Sequence, residues 1–384
     1  MAILTILHTN DLHTQIAPLP RLSTAVNQIR KETGNVLFLD SGDTFADGDA
    51  ETQQLMFEVI RFLEYDAITV GNEDYHFWKK FSENQLKCLP FTLFAANLQS
   101  YIILDVSGVK VGVVGGTSPT ARAKQYAKEL REECDLIIAL THLGLEGDIR
   151  FAKDVKGVDI ILGGHHHLAL NPPIQVGNCI ICQHGGHGRY MGRLDIQINN
   201  DESYRRINSD LIDLIQIEPD TDVQQFLYAQ EVAVNGKRMN LGTPIGESLE
   251  TFIGENTDFQ NPLGDIVADA IRAVAETDIA LMLTRSMRSY LRRGTIRVLD
   301  VYDIVYQNLD IIKWRFTGKL LWNLLEQSFV PDQRGQPRHF YVAGMKLKYR
   351  LCEHSIKLEK ATVNRQNLRD DALYTVAADA FVSS

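Results

Sequence analysis

The chain has 384 residues, of which 45% are hydrophobic and 23% are charged, and its formal net charge at pH 7 is −10. This length predicts about two domains, and the composition is typical of a globular protein rather than a disordered one. The negative charge argues against a broad surface for nucleic acid or anionic membrane, because such surfaces are usually basic.

The cysteines and the first residues bear on the cellular compartment. Cys88, Cys134, Cys179, Cys182 and Cys352 are odd in number and scattered, which does not suggest a disulfide framework. Cys179 and Cys182 form a C-x-x-C motif inside an apolar run, and we interpret the pair as buried and structural. The start, MAILTILHTNDLH, lacks a basic segment, a long apolar core and a cleavage site. We therefore predict a cytoplasmic protein with no membrane-spanning segment.

Short apolar runs alternate with helical stretches in the first half of the chain. The runs are rich in Val, Ile and Leu and predict buried strands, and they read AILTILHT, NVLFLDSG, DAITVGNE, FTLFAANL, VKVGVVGG, DLIIALTH and VDIILGGH. Residues 51–64 and 121–133 have helical spacing. This alternation predicts an α/β domain over residues 1–200, which the segment CIICQHGGHGRYMGRLDIQI closes.

The pattern changes after residue 200. We assign residues 201–242 to a linker region, in which the stretch EPDTDVQQFLYAQEVAVNGK (218–237) is polar with a helical period. Pro219 near its start and Gly236 near its end favour a linker helix. Residues 243–384 predict a second, smaller α+β domain. Its expected elements are a helix over 262–276, a strand over 278–284, a helix over 317–328 and strands near 340–350 and 373–377.

Side chains that can bind metal ions follow five of the predicted strands. They are Asp11, His13, Asp43, Asn72, Glu73, His142, His165, His166 and His167. One Asp-x-His motif, or one histidine after a strand, is more often an ordinary loop feature. The joint pattern is harder to obtain by chance, because ligands of open α/β sheets bind at the carboxyl ends of strands. Imidazole and carboxylate suit zinc, manganese and iron, and paired divalent ions are a common device for phosphoester hydrolysis.

These motifs resemble a known family. In the first half, the motifs ILHTNDLH, FLDSGD, VGN, THLG and ILGGHHH are similar, in order, to the calcineurin-like metallophosphoesterase domain of the 5′-nucleotidase family. In the second half, NPLGDIVADAIRAVAETDIALM, LDVYDIV, FTGKLLWNLLEQS and LYTVAADAF resemble that family's C-terminal substrate domain. The resemblance implies a four-layer αββα sandwich of two mixed sheets with helices outside, followed by the smaller α+β domain.

The resemblance also implies two divalent ions, Mn, Zn or Fe, and a role for each ligand. The ligands are Asp11, His13 and His167 for one ion; Asn72, His142 and His165 for the other; and Asp43 as the bridge between them. His166 stands between two of these ligands, and we expect it to point away from the ions.

The loop after the third strand departs from the family. Where the family has G-N-H-E-F-D, with a catalytic histidine oriented by the last aspartate, this chain has GNEDYH at residues 71–76. Glu73 therefore stands at the histidine position and His76 at the aspartate position. Three interpretations stay open: Glu73 and His76 form an inverted dyad, His184 or His187 substitutes, or the site binds metal ions but turns over slowly. A general acid–base group typically contributes about 10²–10⁴-fold, so its loss need not abolish metal-driven chemistry.

The predicted substrate domain departs from the family as well. The family's N-G-G-G-x-R loop corresponds to residues 283–288, of which Arg288 is retained and would clamp a phosphate or carboxylate. The family's first base-stacking phenylalanine corresponds to Gln307, and the second aromatic to His339, with Phe340 beside it. The family also continues past the last residues, AADAFVSS, so we expect a truncated or naturally short domain.

We predict a metal-dependent phosphoester hydrolase acting on a small phosphorylated metabolite, with nucleotides among the candidates. In-line attack by activated water would cleave the ester, with Glu73 or His76 assisting proton transfer and Arg288 and Phe340 contacting the substrate. The alternative is a catalytically weak protein that keeps its metal ions and senses a phosphorylated ligand. The altered dyad and the lack of a signal peptide resemble an intracellular branch of nucleotidase-like proteins. Oligomeric state is not predicted.

Overall fold

A computed structural model describes residues 2–94, 101–115, 120–198, 204–234, 237–254, 261–304, 310–330, 339–352 and 355–379. The chain divides into two compact units, Met1–Gly242 and Thr243–Ser384. Within these ranges, every helix is too short or too polar to cross a bilayer.

The first unit is built from two mixed sheets and the helices that connect their strands. Its strands are β1 (Ala2–Thr9), β2 (Val36–Asp40), β3 (Ala67–Thr69), β4 (Thr92–Phe94), β5 (Tyr101–Val106), β6 (Val109–Gly115), β7 (Leu136–Leu140), β8 (Ile160–Leu162), β9 (Ile174–Val176), β10 (Cys179–Cys182), β11 (Tyr190–Ile198), β12 (Tyr204–Asp213), β13 (Glu231–Val234) and β14 (Lys237–Asn240). Its helices are α1 (Leu19–Thr33), α2 (Ala50–Ile60), α3 (Tyr75–Trp78), α4 (Glu83–Lys87), α5 (Thr120–Arg131), α6 (Gly144–Asp154) and α7 (Thr221–Tyr228), with a 3₁₀ turn at Leu214–Gln216.

Strand order places the parallel strands of each sheet side by side. The first sheet runs β12-β11-β1-β2-β3-β4, with β1 to β4 parallel and β11 antiparallel to both neighbours. The second runs β5-β6-β7-β8-β10-β9, with β6, β7, β8 and β10 parallel and antiparallel edge strands. Loops that leave the carboxyl ends of the parallel strands therefore gather at one edge of each sheet.

The two sheets pack face to face around a shared apolar core. Leu4 and Leu39 of the first sheet and Val113 and Ile138 of the second belong to one buried cluster. Burying a side chain of this size contributes about 1.5–3 kcal/mol. Helices α5 and α6 bury their apolar faces against the outer side of the second sheet, and α1 contacts β2 of the first. The predicted four-layer αββα sandwich is confirmed.

Local signals explain the helix boundaries. Helix α1 has proline in its first turn and ends before Gly34, whose φ of +73° suits a residue without a side chain. Helix α2 begins after Asp49, whose carboxylate accepts a hydrogen bond from the backbone N–H of Thr52. The predicted helices over 51–64 and 121–133 correspond to α2 and α5.

Residues 201–242 differ from the predicted linker helix. Tyr204–Asp213 forms β12, which pairs along its length with β11, and the only part of this segment that is α-helical within the described residues is Thr221–Tyr228. Glu231–Val234 and Lys237–Asn240 then pair as antiparallel strands. Gly236, expected near the helix end, lies outside the described residues. The helical period predicted over 218–237 therefore holds only for Thr221–Tyr228, and the residues after it form a strand because they pair with Lys237–Asn240.

The second unit is an α+β domain, as predicted. Its strands are β15 (Pro244–Ser248), β16 (Phe252–Ile253), β17 (Ile279–Leu283), β18 (Tyr290–Leu291), β19 (Gly294–Arg297), β20 (Ile311–Thr317), β21 (Phe340–Ala343), β22 (Met345–Cys352), β23 (Ser355–Val363), β24 (Gln366–Asn367) and β25 (Leu373–Asp379). Its helices are α8 (Pro262–Ala275), α9 (Val298–Tyr302) and α10 (Gly318–Ser328), with a 3₁₀ turn at Thr284–Ser286. The sheet β20-β25-β17-β21 carries α8 on one face and α10 on the other.

Candidate metal centre

The candidate ligands lie in loops that follow parallel strands of the first unit. Asp11 and His13 follow β1, Asp43 follows β2 and Asn72 follows β3, all in the first sheet; His142 follows β7 and His165, His166 and His167 follow β8, in the second. Backbone hydrogen bonds tie the first two loops together, from the Asp11 N–H to the Gly42 carbonyl (2.8 Å) and from the His13 N–H to the Asp43 carbonyl (2.9 Å).

Two groups of donors converge there. Ligand atoms within each group lie within 4.8 Å of one another, the first group being Asp11, His13 and His167 and the second being Asp43, His142 and His165. In the first, the Nε2 atoms of His13 and His167 are 3.1 Å apart, and Oδ1 of Asp11 lies 3.7 Å and 3.5 Å from them. In the second, Nε2 of His142 is 2.9 Å from Oδ2 of Asp43.

Asp11 reaches both groups. Its Oδ1 atom is 3.6 Å from Nε2 of His142 in addition to its contacts with the first group. The backbone N–H of His165 donates to its Oδ2 atom (2.9 Å), and so does the side-chain amide of Asn10 (2.6 Å). Sequence analysis expected the bridging role for Asp43, and that assignment stays a prediction.

Contacts of the ring nitrogens orient these histidines. Nδ1 of His142 is 2.7 Å from the Ser41 carbonyl, so this nitrogen carries the proton and Nε2 faces the carboxylates. Nδ1 of His165 is 2.8 Å from the side-chain oxygen of Asn72, so Asn72 lies beside the second group. His166 belongs to neither group, and its Nδ1 faces the backbone N–H of Leu145 (3.4 Å).

The site favours positive charge. Burial lowers the pKa of His142, but the hydrogen bond to Asp43 and the charges of Asp11 and Asp43 outweigh it and raise this pKa to about 10. Burial likewise raises the pKa of Asp11 and of Asp43, yet the neighbouring histidines outweigh it and hold both below the ordinary value. Two buried carboxylates that stay ionised beside these imidazoles form a potential well for a cation.

Glycines that sequence analysis did not single out make room for these groups. A Cβ atom at Gly71 would lie 2.1 Å from Oδ1 of Asp43, and one at Gly164 would lie 2.8 Å from Nδ1 of His142. Both glycines stand directly before the ligand-bearing segments, in the motifs VGN and GGHHH. A glycine one or two residues before a candidate ligand is the signal that would have found them.

The donor set fits divalent ions. Four imidazoles and two carboxylates from both sheets are directed at one another, with the amide oxygen of Asn72 at the side. Zinc, manganese and iron accept such mixed nitrogen and oxygen ligands. Where one ring nitrogen of a neutral imidazole donates its proton outward, the other nitrogen, which faces inward, is unprotonated. The unprotonated nitrogen is the one that binds a metal ion.

The loop at residues 71–76 does not bring Glu73 and His76 together. The backbone N–H of Glu73 donates to Oδ1 of Asp43 (2.9 Å), and its carboxylate joins Nδ1 or Nε2 of His13 and a carboxylate oxygen of Asp47 within 4.8 Å. Burial, then the charge of Asp47, raises the pKa of Glu73. His76 is exposed on α3, and among the described contacts its ring meets Lys79 (2.9 Å) and Tyr75 rather than Glu73.

The two other candidate histidines occupy different environments. His184 is fully buried, its Nε2 accepts from the backbone N–H of Asn10 (3.0 Å), and burial lowers its pKa to about 4. His187 is partly exposed, and its ring centre lies 5.2 Å from that of His13 and 4.9 Å from that of His167. Of the two, His187 is therefore the one at the edge of the metal-ligand cluster.

The expected substrate residues lie in the second unit. Arg288 is buried, and its backbone N–H donates to the Ile304 carbonyl (2.9 Å). His339 is also buried, and its ring centre lies 5.8 Å from that of Phe329. Phe340 is half-buried in β21 and packs against the core on the α10 side. Gln307 and the last residues of the chain lie outside the described ranges.

Family models match both halves of the chain. Residues 4–169 match the calcineurin-like phosphoesterases, and residues 244–384 match the C-terminal domain of 5′-nucleotidases. The first segment thus belongs to the calcineurin-like phosphoesterases and the second to the C-terminal domains of 5′-nucleotidases. The resemblance seen in the sequence motifs is thereby confirmed.

Two relatives of known name are 26% and 31% identical to this chain over the aligned segments. The trifunctional nucleotide phosphoesterase protein YfkN of Bacillus subtilis is 26% identical over 99% of this chain and 32% of its own length. The 5′-nucleotidase of Rattus norvegicus is 31% identical over 44% of this chain and 39% of its own length. The chain thus spans about a third of the first protein's length and about two fifths of the second's.

Solved structures share the two-domain fold. A 5′-nucleotidase precursor from Thermus thermophilus superposes with a TM-score of 0.66 at 20% identity, covering 99% of this chain and 90% of the other. The sulfate thiohydrolase SoxB of the same genus superposes with a TM-score of 0.67 at 16% identity, covering 99% and 89%. Proteins with different names share this fold, so the reaction has to be argued from the site.

Proposed function

We propose that this protein is a hydrolase that uses two divalent metal ions to cleave a phosphoester in a small phosphorylated metabolite of the nucleotide class. The observation that carries the proposal is the convergence of two donor groups, from loops of both sheets, on the carboxylate of Asp11. A structural α/β protein has no need for six metal-competent side chains directed at one another in buried loops.

Each residue has a role in this proposal. One ion would be held by Asp11, His13 and His167, and the other by Asp43, His142, His165 and Asn72. Bound ions would polarise phosphoryl oxygens and activate water near neutral pH. Mn, Zn and Fe all suit the donor set, and occupancy in a cell would follow availability as well as affinity.

His187 is our preferred group for moving a proton to the leaving group. It is partly exposed at the edge of the cluster, beside His13 and His167, whereas His76 contacts Lys79 on the surface. Glu73 is the second choice, because its carboxylate lies near His13 and Asp47. The inverted Glu73–His76 dyad is the least favoured, since the two side chains have different neighbours.

The substrate class follows from the relatives. Both relatives described above are named for nucleotides, and the matched C-terminal domain is that of 5′-nucleotidases. We propose Arg288 as a phosphate or carboxylate clamp and Phe340 as an apolar contact, as the family resemblance implies. Hydrolysis of monoesters and diesters are both compatible with the site, so the assay below includes each.

A second candidate function is favoured by one observation. Glu73, a carboxylate, occupies the position where the family has its catalytic histidine, and it joins Asp47 in adding negative charge beside His13. A protein that binds its metal ions and a phosphorylated ligand, with little turnover, is the alternative.

Release of nitrophenol from a nitrophenyl monoester and diester by the Mn²⁺-loaded protein distinguishes the two. We expect turnover that falls at least about 10³-fold in Asp43→Asn, since a lost ion removes several kcal/mol of transition-state stabilisation. Wild-type protein that binds Mn²⁺ stoichiometrically but releases no nitrophenol from either ester would establish the binding protein instead.

A further inference from the structure

Asp47 contacts His13 although neither sequence motif nor family resemblance singled it out. Its Oδ2 atom lies 2.6 Å from Nδ1 of His13. Both side chains are largely buried, with 14% and 5% of their surfaces exposed. The contact uses the imidazole nitrogen opposite to the one that faces His167 and Asp11.

The backbone at Asp47 is in a conformation that favours glycine. Its φ is +66°, in the left-handed region that residues with a side chain rarely adopt. A non-glycine residue held in this region is commonly found at a functional site, where the surrounding structure maintains the strain. Asp47 thus carries a side chain at a backbone conformation that glycine adopts without strain.

Three hydrogen bonds that do not involve the Asp47 side chain also hold this loop. The backbone N–H of Thr14 donates to the Thr44 carbonyl (2.9 Å), and that of Gly48 donates to the Ala46 carbonyl (2.8 Å). The Thr14 hydroxyl donates to the Ala46 carbonyl as well. Removing the Asp47 side chain leaves all three hydrogen bonds in place.

We propose that Asp47 is a positioning residue that holds His13 with its proton on Nδ1, so that Nε2 points at Asp11 and His167. A neutral imidazole binds a metal ion through the nitrogen that has no proton, and a carboxylate on the other nitrogen fixes both tautomer and ring orientation. Asp47 thus sets the metal affinity of the Asp11, His13 and His167 group. The inference rests on the metal centre of the proposed function but not on turnover.

The test compares Asp47→Gly with Asp47→Asn in the full chain. Glycine removes the hydrogen-bond acceptor and relieves the backbone strain; asparagine keeps an acceptor oxygen and removes the charge. We expect Asp47→Gly to weaken Mn²⁺ binding to the metal-stripped protein by about 10–100-fold without lowering the metal-free Tm, and Asp47→Asn to stay within about threefold of wild type.

Arg365→Gly is the matched control. Arg365 has the same φ of +66°, is exposed, and lies in the turn between β23 and β24 of the second unit. This variant measures how Tm changes when glycine replaces a residue in the left-handed backbone conformation. We expect it to leave Mn²⁺ affinity unchanged. A metal-free Tm that falls in Asp47→Gly would overturn the proposal in favour of a structural role.

Two further results would also overturn the positioning role. Unchanged Mn²⁺ affinity in Asp47→Gly would show that the contact has no effect on the ion. Equal losses in Asp47→Gly and Asp47→Asn would show that Asp47 acts through its charge, as a direct ligand would.

Nitrogen NMR of histidine-labelled, metal-free protein provides a readout that is independent of metal binding. His13, assigned through His13→Ala, should carry its proton on Nδ1 in the wild type and show a mixture of tautomers in Asp47→Gly. The same mixture in wild type and variant would contradict the proposal, even if the protein proved to have no hydrolase activity.

Discussion

The metal centre is concentrated in residues with a rare backbone conformation. Five of the seven predicted ligands have φ between +50° and +82°, namely Asp11, His13, Asp43, His165 and His167. Each such residue costs about 1–2 kcal/mol relative to a right-handed conformation. The sandwich core offsets this cost, and the result is a set of short loops that bring the two donor groups together.

Gly71→Ala tests how tightly these loops are packed. A Cβ atom there would meet Oδ1 of Asp43 at 2.1 Å and its backbone N at 2.6 Å, so the new methyl group has nowhere to move. We expect Asp43 to be displaced and turnover to fall at least about 10²-fold. Gly246→Ala in β15 is the control, because the atom nearest to a Cβ placed there is 3.9 Å away. Equal activity of both variants would contradict the expectation.

Asp148 predicts a pH-dependent stability. This carboxyl is fully buried on α6 and accepts from Thr141 (2.6 Å) and Gln183 (2.9 Å). Burial raises its pKa to about 6 from 3.8, although both hydrogen bonds lower it. Because the folded state binds its proton more tightly than the unfolded state, this group stabilises the fold below pH 4, and that stability is lost as the pH rises to about 6.

Asp148→Asn removes the titration and keeps the shape. Relative to wild type, the metal-free variant should gain on the order of 2–3 kcal/mol of unfolding free energy between pH 4 and pH 7. Urea unfolding at several pH values measures this difference. A difference that stays constant across that range would show that Asp148 does not titrate there.

At the scale of elements, the site is made by loops that leave parallel strands of two facing sheets. Ser41, after β2, donates its hydroxyl to the Leu162 carbonyl of β8 (2.8 Å), and its own carbonyl contacts His142 after β7. These contacts join the carboxyl ends of the two sheets. The loop after β10 adds His187 to the same edge, with its N–H bonded to the Asp11 carbonyl (2.7 Å).

The loops after β3 and β10 offer competing acid–base groups, which two variants distinguish. His187→Ala should lower turnover of an ester with a poor leaving group by about 10²–10⁴-fold, and should lower it less for nitrophenyl esters, which need little protonation. His76→Ala should stay within about threefold, because its ring contacts Lys79 on the surface of α3. A loss of turnover in His76→Ala alone would instead support the inverted dyad of Glu73 and His76.

At the scale of the whole molecule, each unit has its own apolar core, and every described metal-ligand group belongs to the first. Metal binding should therefore stabilise the first unit alone. At a free ion concentration about 100-fold above Kd, binding adds about 2.7 kcal/mol, or about 5–10 °C in Tm for a unit of this size.

Calorimetry of the full chain with Mn²⁺ and then with a chelator measures this effect. We expect one unfolding transition to move down on chelation and the other to stay in place. If the Tm shift is absent in Asp43→Asn, the effect belongs to the metal centre. Equal shifts of both transitions would contradict the expectation that metal binding stabilises the first unit alone.

Much of the fold was readable from local sequence. Buried strands such as β7 and β8 are continuous apolar runs. Helices α8 and α10 lie within a residue of their predicted bounds, because strong periodicity decides such elements locally. The candidate ligands were found for the same reason: each stands in a short polar segment directly after a strand. The polar strand β12 was missed, because an edge strand with both polar and apolar neighbours is stabilised by pairing with β11 rather than by its own pattern.

The contacts between side chains were decided only by tertiary structure. The sequence by itself determined which residue types stand at the strand ends, and hence the family and the chemistry they suit. That Asp47 contacts His13 across 34 residues, that the rings of His187 and His167 meet, and that His76 contacts Lys79 follow from how the loops are held. Such contacts depend on backbone conformations at positive φ and on hydrogen bonds between distant loops, which leave no periodic signal in the chain.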